Sequence, residues 1–178
     1  GTGATLQAVA ASLDARRIDA VVVAMLAARR IHFFGLGVSS AVAQDAQQHF
    51  FRFALPVSAH GDVLLQRMQA AAACSDELFF LISHTGRTKE VVDIATLARS
   101  RGATVVALTA AGAPLAREST LALELDIAED TDAYMPMTSR VAHLVVLDIL
   151  AARVTLERGD ALQPHLRRIK ESLMPTRY

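Results

Sequence analysis

The sequence predicts an α/β fold, a three-layer α/β/α sandwich around a five-stranded parallel sheet in the flavodoxin-like order 2-1-3-4-5. Three observations predict it. Short apolar runs alternate along the chain with longer segments whose apolar residues recur at helical spacing. Runs such as Leu78-Phe79-Phe80-Leu81-Ile82 carry no charge, as strands covered on both faces require. Five such strands separated by helices imply right-handed crossovers, which place helices on both sides of a parallel sheet.

Composition sets the bounds. The chain has 178 residues, 52% apolar and 20% charged, enough for one globular domain with a sizeable core and unlike a disordered chain. A formal net charge of zero argues against broad electrostatic binding of nucleic acid by this segment. Cys74 is the single cysteine, so no internal disulfide can form and a reducing cytoplasm is the expected setting. No apolar run approaches the roughly 20 residues that span a bilayer, so no membrane partner is expected. The start, Gly1-Thr2-Gly3, carries no signal-peptide pattern, and in place of an initiator methionine it suggests a domain excised from a longer protein.

Taken in order, residues 4–13 and about 17–28 read as two helices separated near Asp14, with Ile18, Val21, Val22, Met25 and Leu26 at helical spacing. Ile31 to Phe34 is a strand, closed by the loop Gly35-Leu36-Gly37-Val38-Ser39-Ser40. A helix over about 40–53 leads to a strand near Leu55–Ser58, which Pro56 demotes to an edge. After a helix over roughly 61–73 comes the strand ending at Ile82 and the loop Ser83-His84-Thr85-Gly86-Arg87-Thr88. Lys89 to Arg101 is a helix with Gly102 as its C′ residue, followed by a strand from Ala103 to Thr109. A helical turn at Pro114 to Glu118 precedes a last, more exposed strand from Leu121 to Ile127. From 136 a helix apolar nearly all round marks deep core or a subunit interface, and Gly159 should stop it. Leu162, Leu166, Ile169 and Leu173 then define a final amphipathic helix ending near Pro175.

The chemistry gathers in the two loops. In the predicted order, strands one and three are neighbours, and ligands bind at the carboxyl ends of strands at such a switch of direction. Each loop joins a strand to a helix N-terminus, whose first amides lack intrahelical partners and whose dipole favours negative charge. Ser39 and Ser40 in the first loop, and Ser83, Thr85 and Thr88 in the second, add hydroxyl donors, while Gly86 allows close backbone approach. Phosphate is the guest this suits. The plainer alternative is two ordinary capped helices, since serine and threonine are common caps, and the P-loop lysine is missing.

Other candidates are weaker. Gly35-x-Gly37 is not a dinucleotide fingerprint, because residue 40 is serine and no acidic residue closes the next strand. The histidines His32, His49, His60, His143 and His165 show no metal-ligand spacing and read as surface or packing residues, and neither a metal nor another cofactor is expected. His84 stands apart by its place in the loop. Glu129 and Asp132, beyond the last strand, offer a hydroxyl acceptor or a base, or else a solvated turn. Arg87 and Arg140 supply charge to the crevice or point to water.

Gly35-Leu36-Gly37-Val38-Ser39 and Ser83-His84-Thr85-Gly86-Arg87-Thr88 resemble the two signature loops of the sugar isomerase (SIS) domain, and the likeness covers about residues 18–155. The wording "FFGLG.S", "LISHTGRTKEVV" and "EDTDAYMPMTSR" is similar to the effector domains of RpiR-type transcriptional regulators, within them the HexR-like repressors of hexose metabolism. The resemblance implies a cytoplasmic homodimer that binds a phosphorylated sugar or sugar acid, 2-keto-3-deoxy-6-phosphogluconate in the HexR-like group. It implies DNA binding only through an N-terminal helix-turn-helix domain that this chain lacks. Residues 1–178 would then be a single SIS effector domain with flanking helices. Carried onto this sequence, the phosphate contacts are Ser39, Ser83, Thr85 and Thr88, with backbone help from His84, Gly86 and Arg87, and Ser40 in a lesser part. Arg140 or a residue of a second subunit would meet the carboxylate of a sugar acid, and the helix from 136 would carry the signal if it lies at the interface. An aldose–ketose phosphosugar isomerase is the competing reading, with Glu129, Asp132 or His84 as base and the same phosphate site. A dimerisation module with a vestigial pocket is a third.

Overall fold

The computed structural model describes residues 2–127 and 137–178. Five parallel strands form one sheet in the order β2-β1-β3-β4-β5, as the alternation of strand and helix predicts. The strands are β1 (Arg30–Gly35), β2 (Val57–Ala59), β3 (Glu77–Ser83), β4 (Thr104–Ala110) and β5 (Leu121–Leu125). The helices are α1 (Thr2–Ser12), α2 (Ala15–Ala27), α3 (Val38–Phe50), α4 (Val63–Ala71), α5 (Lys89–Ser100), α6 (Pro114–Glu118), α7 (Met137–Arg158) and α8 (Gln163–Ser172).

Local signals explain most boundaries. The Asp14 carboxylate accepts from Arg16 N–H at 2.9 Å to start α2, and Asp62 accepts from Leu65 N–H at 2.8 Å to start α4. Gly102, at φ +85°, ends α5 with Ala103 N–H on Ala98 O and its own N–H on Arg99 O, the double bond of a Schellman cap. Gly159, at φ +57°, follows the last residue of α7. Pro56 stands just before β2, which is the sheet's edge. Some boundaries differ from expectation. The third helix begins at Val38, two residues early, and gives way to a 3-10 turn at Phe51–Phe53; the last strand ends at Leu125.

Alternating side chains on the strands build two cores. Phe33, Phe80, Ile82 and Leu108 face α2, α3 and α7, while Phe34, Phe79, Leu81 and Val105 face α4, α5 and α6. Phe33, Phe34, Phe50, Phe79 and Phe80 are fully buried, and each such side chain contributes about 1.5–3 kcal/mol. The long apolar helix supplies core, and Leu144, Val145 and Ile149 along it stay half-buried. Ala142, Val146, Leu147, Leu150, Ala151 and Val154 of α7 are buried in this chain's own core, where Leu147 packs rather than facing a partner.

One histidine is more than packing. His32 is buried near the amino end of β1, stacked on Phe79 with ring centroids 4.4 Å apart. Its Nε2 lies 3.0 Å from Glu77 Oε1, and its Nδ1 3.4 Å from Ser58 Oγ. Burial pushes the His32 pKa below the ordinary 6.5, outweighing the pull of the Glu77 carboxylate. Burial would raise the Glu77 pKa, but hydrogen bonds from His32 and from the Cys74 N–H hold it below the ordinary 4.5. The native state therefore keeps His32 neutral while the unfolded chain takes up a proton near pH 6.5, so stability falls as the pH drops through that value. The Glu77 contribution is lost in the same direction, below its ordinary 4.5. Urea unfolding from pH 8 down to pH 5 should show this decline, and His32→Gln should flatten it; an equal slope in the variant would place the linkage elsewhere.

Candidate functional site

The site follows from one pairing. Gly35, the last residue of β1, pairs with Ile82 of β3, so the loops after both strands leave the sheet at one level and side by side. The first loop turns at Gly37, whose φ of 57° and ψ of −125° suit only glycine. Ser39 N–H then donates to Leu36 O and Ser40 N–H to Gly37 O, each at 3.1 Å. The first turn of α3 folds back onto the strand: a Cβ on Gly35 would lie 2.5 Å from Ser39 O and 2.9 Å from Ser39 Cβ. Ser39 and Ser40 are half-buried there.

The second loop is held from inside and from beneath. Ser83, 7% exposed, accepts from Gly86 N–H at 3.1 Å, and Thr85 Oγ1 accepts from Arg87 N–H at 3.2 Å. An accepting hydroxyl still has its O–H to donate, so neither role removes these groups as donors to an anion. Gly86 sits at φ 62°, and a Cβ there would collide with Thr109 Oγ1 and lie 2.6 Å from Ala113 Cβ. From below, Ala110 N–H donates to His84 O at 3.1 Å and Leu115 N–H to Gly86 O at 3.0 Å. Thr88 occupies the N-cap of α5, yet its hydroxyl makes no capping bond. Gly37, the N-cap of α3, has no side chain to cap with. The plain reading of two side-chain-capped helices therefore fails at both ends, although the Ser39, Ser40 and Val91 amides already bond the backbone carbonyls of Leu36, Gly37 and Thr88.

A further layer steadies the rim. Glu124 of β5 accepts from Gly112 N–H at 2.7 Å and pairs with Arg17 of α2 at 2.8 Å. The Gly112 amide first and Arg17 second hold the Glu124 pKa below its ordinary value. Gly112 belongs to the segment that supports the second loop.

Two residues join the site that the sequence reading did not place there. Thr109 pairs with Ser83 across β3 and β4, is fully buried, and presses its hydroxyl against Gly86. Its position at the strand end was readable; its contact was not. His143 of α7 is 2% exposed, with its ring centroid 6.4 Å from that of His84. Ser139, one turn earlier on α7, is also buried, so this face of α7 closes on the second loop. Spacing alone gave His143 no distinction from the other histidines. Arg140 is exposed on the same turn, as are Thr85 and Arg87 in the loop; Glu129 and Asp132 lie outside the described residues. Among the described residues no three His, Cys, Asp or Glu side chains gather as a metal site, and no helix is long and apolar enough to cross a membrane. Hollows of about 200 and 330 Å³ open around Arg30, His32 and Gln69 at the opposite, amino end of β1, and neither loop lines them.

Residues 24–153 match the family model described as the SIS domain. The chain belongs to the SIS domain family. It is 60% identical over 177 residues to the HTH-type transcriptional regulator HexR of Pseudomonas aeruginosa, covering 99% of this chain and 62% of that protein. To HexR of Escherichia coli it is 51% identical over 175 residues, covering 98% of this chain and 61% of the relative. This SIS domain thus spans about three-fifths of the length of those regulators. Among solved structures, Vibrio vulnificus NanR complexed with ManNAc-6P superposes with a TM-score of 0.91 at 27% identity, over 99% of this chain and 67% of that one.

The glycines give the sharpest test of this geometry. Gly86→Ala must relieve both a positive φ and a collision, so it should destabilise the SIS domain by about 1–3 kcal/mol in urea unfolding. Gly37→Ala, with open space around its Cβ, should cost less. Equal effects would contradict the packing of Gly86 on Thr109.

Proposed function

We propose that this SIS domain is the non-catalytic sensor of a HexR-type transcriptional regulator, binding a phosphorylated sugar acid such as 2-keto-3-deoxy-6-phosphogluconate. The observation that carries the reading is the pair of hydroxyl-rich loops leaving neighbouring strand ends, each opening a helix. Ser39, Ser83, Thr85 and Thr88 are the phosphate-binding hydroxyls, with Ser40 beside them and backbone help from His84, Gly86 and Arg87, of which the Gly86 and Arg87 amides act by holding the Ser83 and Thr85 oxygens. Arg140 or a second subunit meets the carboxylate. Identity of 60% and 51% to regulators named HexR, and likeness to a NanR complexed with ManNAc-6P, support sensing over turnover. In the full-length protein the domain would act in the cytoplasm as a homodimer and alter the affinity for DNA of an attached helix-turn-helix domain.

The energies suit a metabolite sensor. Each charge-assisted hydrogen bond contributes about 1.5–3 kcal/mol, so four or five of them, less the entropy of immobilising the ligand, leave a micromolar affinity near −8 kcal/mol. Regulation further requires that ligand bind two arrangements of the protein unequally.

Calorimetric titration should give micromolar binding of 2-keto-3-deoxy-6-phosphogluconate, none of unphosphorylated gluconate, and at least a tenfold loss in Thr88→Val with melting unchanged. Undiminished binding in the variant would remove the site. Interconversion of aldose and ketose phosphates at about 1 s⁻¹ or faster would make the domain an isomerase instead.

A further inference from the structure

Gln66 is a polar side chain in an apolar place. It lies on the inward face of α4, one turn from the buried Ala70, and is itself fully buried. Its Nε2 donates to two backbone carbonyls, Gly35 O at 3.3 Å and His60 O at 2.6 Å, while its Oε1 is buried with no partner. Turning the amide over would set its oxygen against two carbonyl oxygens, so the orientation is fixed by those acceptors. Packing does not explain the residue, because methionine would fill nearly the same volume without stranding a buried acceptor.

Both acceptors belong to segments that flank the first loop. Gly35 is the strand end onto which Ser39 folds, so closely that a Cβ there would meet the Ser39 backbone. His60 leads into Gly61, where a Cβ would lie 3.5 Å from Ser40 Oγ. One amide therefore pins the floor under Ser39 and the wall beside Ser40. The second loop is supported separately, by Ala110 and Leu115.

We infer that Gln66 is a positioning residue for the anion site: it touches no ligand and sets the first loop, and through it the Ser39 hydroxyl, at the height the second loop requires. The inference rests on the phosphosugar reading of the two loops. It assigns Gln66 to one half of the site, which a general stabilising role would not do. Losses of affinity from residues acting through one group are not additive, whereas losses from independent groups add.

The test uses Gln66→Met in this chain, titrated with 2-keto-3-deoxy-6-phosphogluconate and with inorganic phosphate. Gln66→Met should weaken binding at least tenfold while the far-UV spectrum and cooperative melting persist. Combined with Ser39→Ala it should add little further loss, and combined with Thr88→Val the losses should multiply. Binding within twofold of wild type, or full additivity with Ser39→Ala, would overturn the inference and leave the site reading standing. Should Gln66→Met unfold, Gln66→Asn, which keeps the amide but is too short to reach both carbonyls, is held to the same outcomes. A wild-type chain that binds neither probe would defeat the site reading itself, and this inference with it, before any variant is made.

Discussion

The structure depends on the ladder between β1 and β3. Their in-register pairing from Arg30–Glu77 to Gly35–Ile82 ends both strands at one rim, so two loops separated by more than forty residues of chain leave the sheet side by side. A shift of either strand by one residue would exchange its two faces and move Phe33 and Phe80 out of one core while bringing His32 into it. The hydrophobic pattern therefore fixes more than the fold. It fixes the level at which Ser39 and Ser83 emerge.

Above that rim stand two helix N-termini. α3 packs in one core and α5 in the other, yet each follows its strand directly, so both helix N-termini stand at the carboxyl rim of neighbouring strands. Each terminus carries about half a positive charge, and neither spends it on a side-chain cap. The arrangement favours an anion shared between the loops. Its supports come from different parts of the molecule: Gln66 beneath the first loop, Thr109 and the Gly112–Glu124–Arg17 chain beneath and behind the second. Arg17 belongs to α2, so the rim behind the second loop is tied to a helix of the other core.

How much of this the sequence reveals depends on whether a contact is local. The strands themselves, the edge character that Pro56 gives β2, the glycine that stops α5 and both loops follow from short-range patterns, because period, proline and glycine act within a few residues, while strand order follows from the crossover rules of parallel sheets. The early start of α3 comes from the unusual backbone at Gly37, which a loop pattern does not specify. His32 looked like any histidine, since its burial against Phe79 and its bond to Glu77 need the paired strands to exist first. The same holds for Thr109 against Gly86, for His143 against His84 and for Gln66 between two carbonyls: each is a contact between segments distant in sequence. The apolar sweep of α7 left core and interface equally open until its packing against α1, α2 and α3 placed Leu147 inside.

The most direct measurement is the position of phosphorus in a crystal of the domain with 2-keto-3-deoxy-6-phosphogluconate. Phosphate should lie between the loops, with oxygens within hydrogen-bond distance of both the Ser39 and the Thr88 hydroxyls. A phosphate held by one loop alone, or seated at the amino end of the sheet around Arg30 and His32, would contradict it.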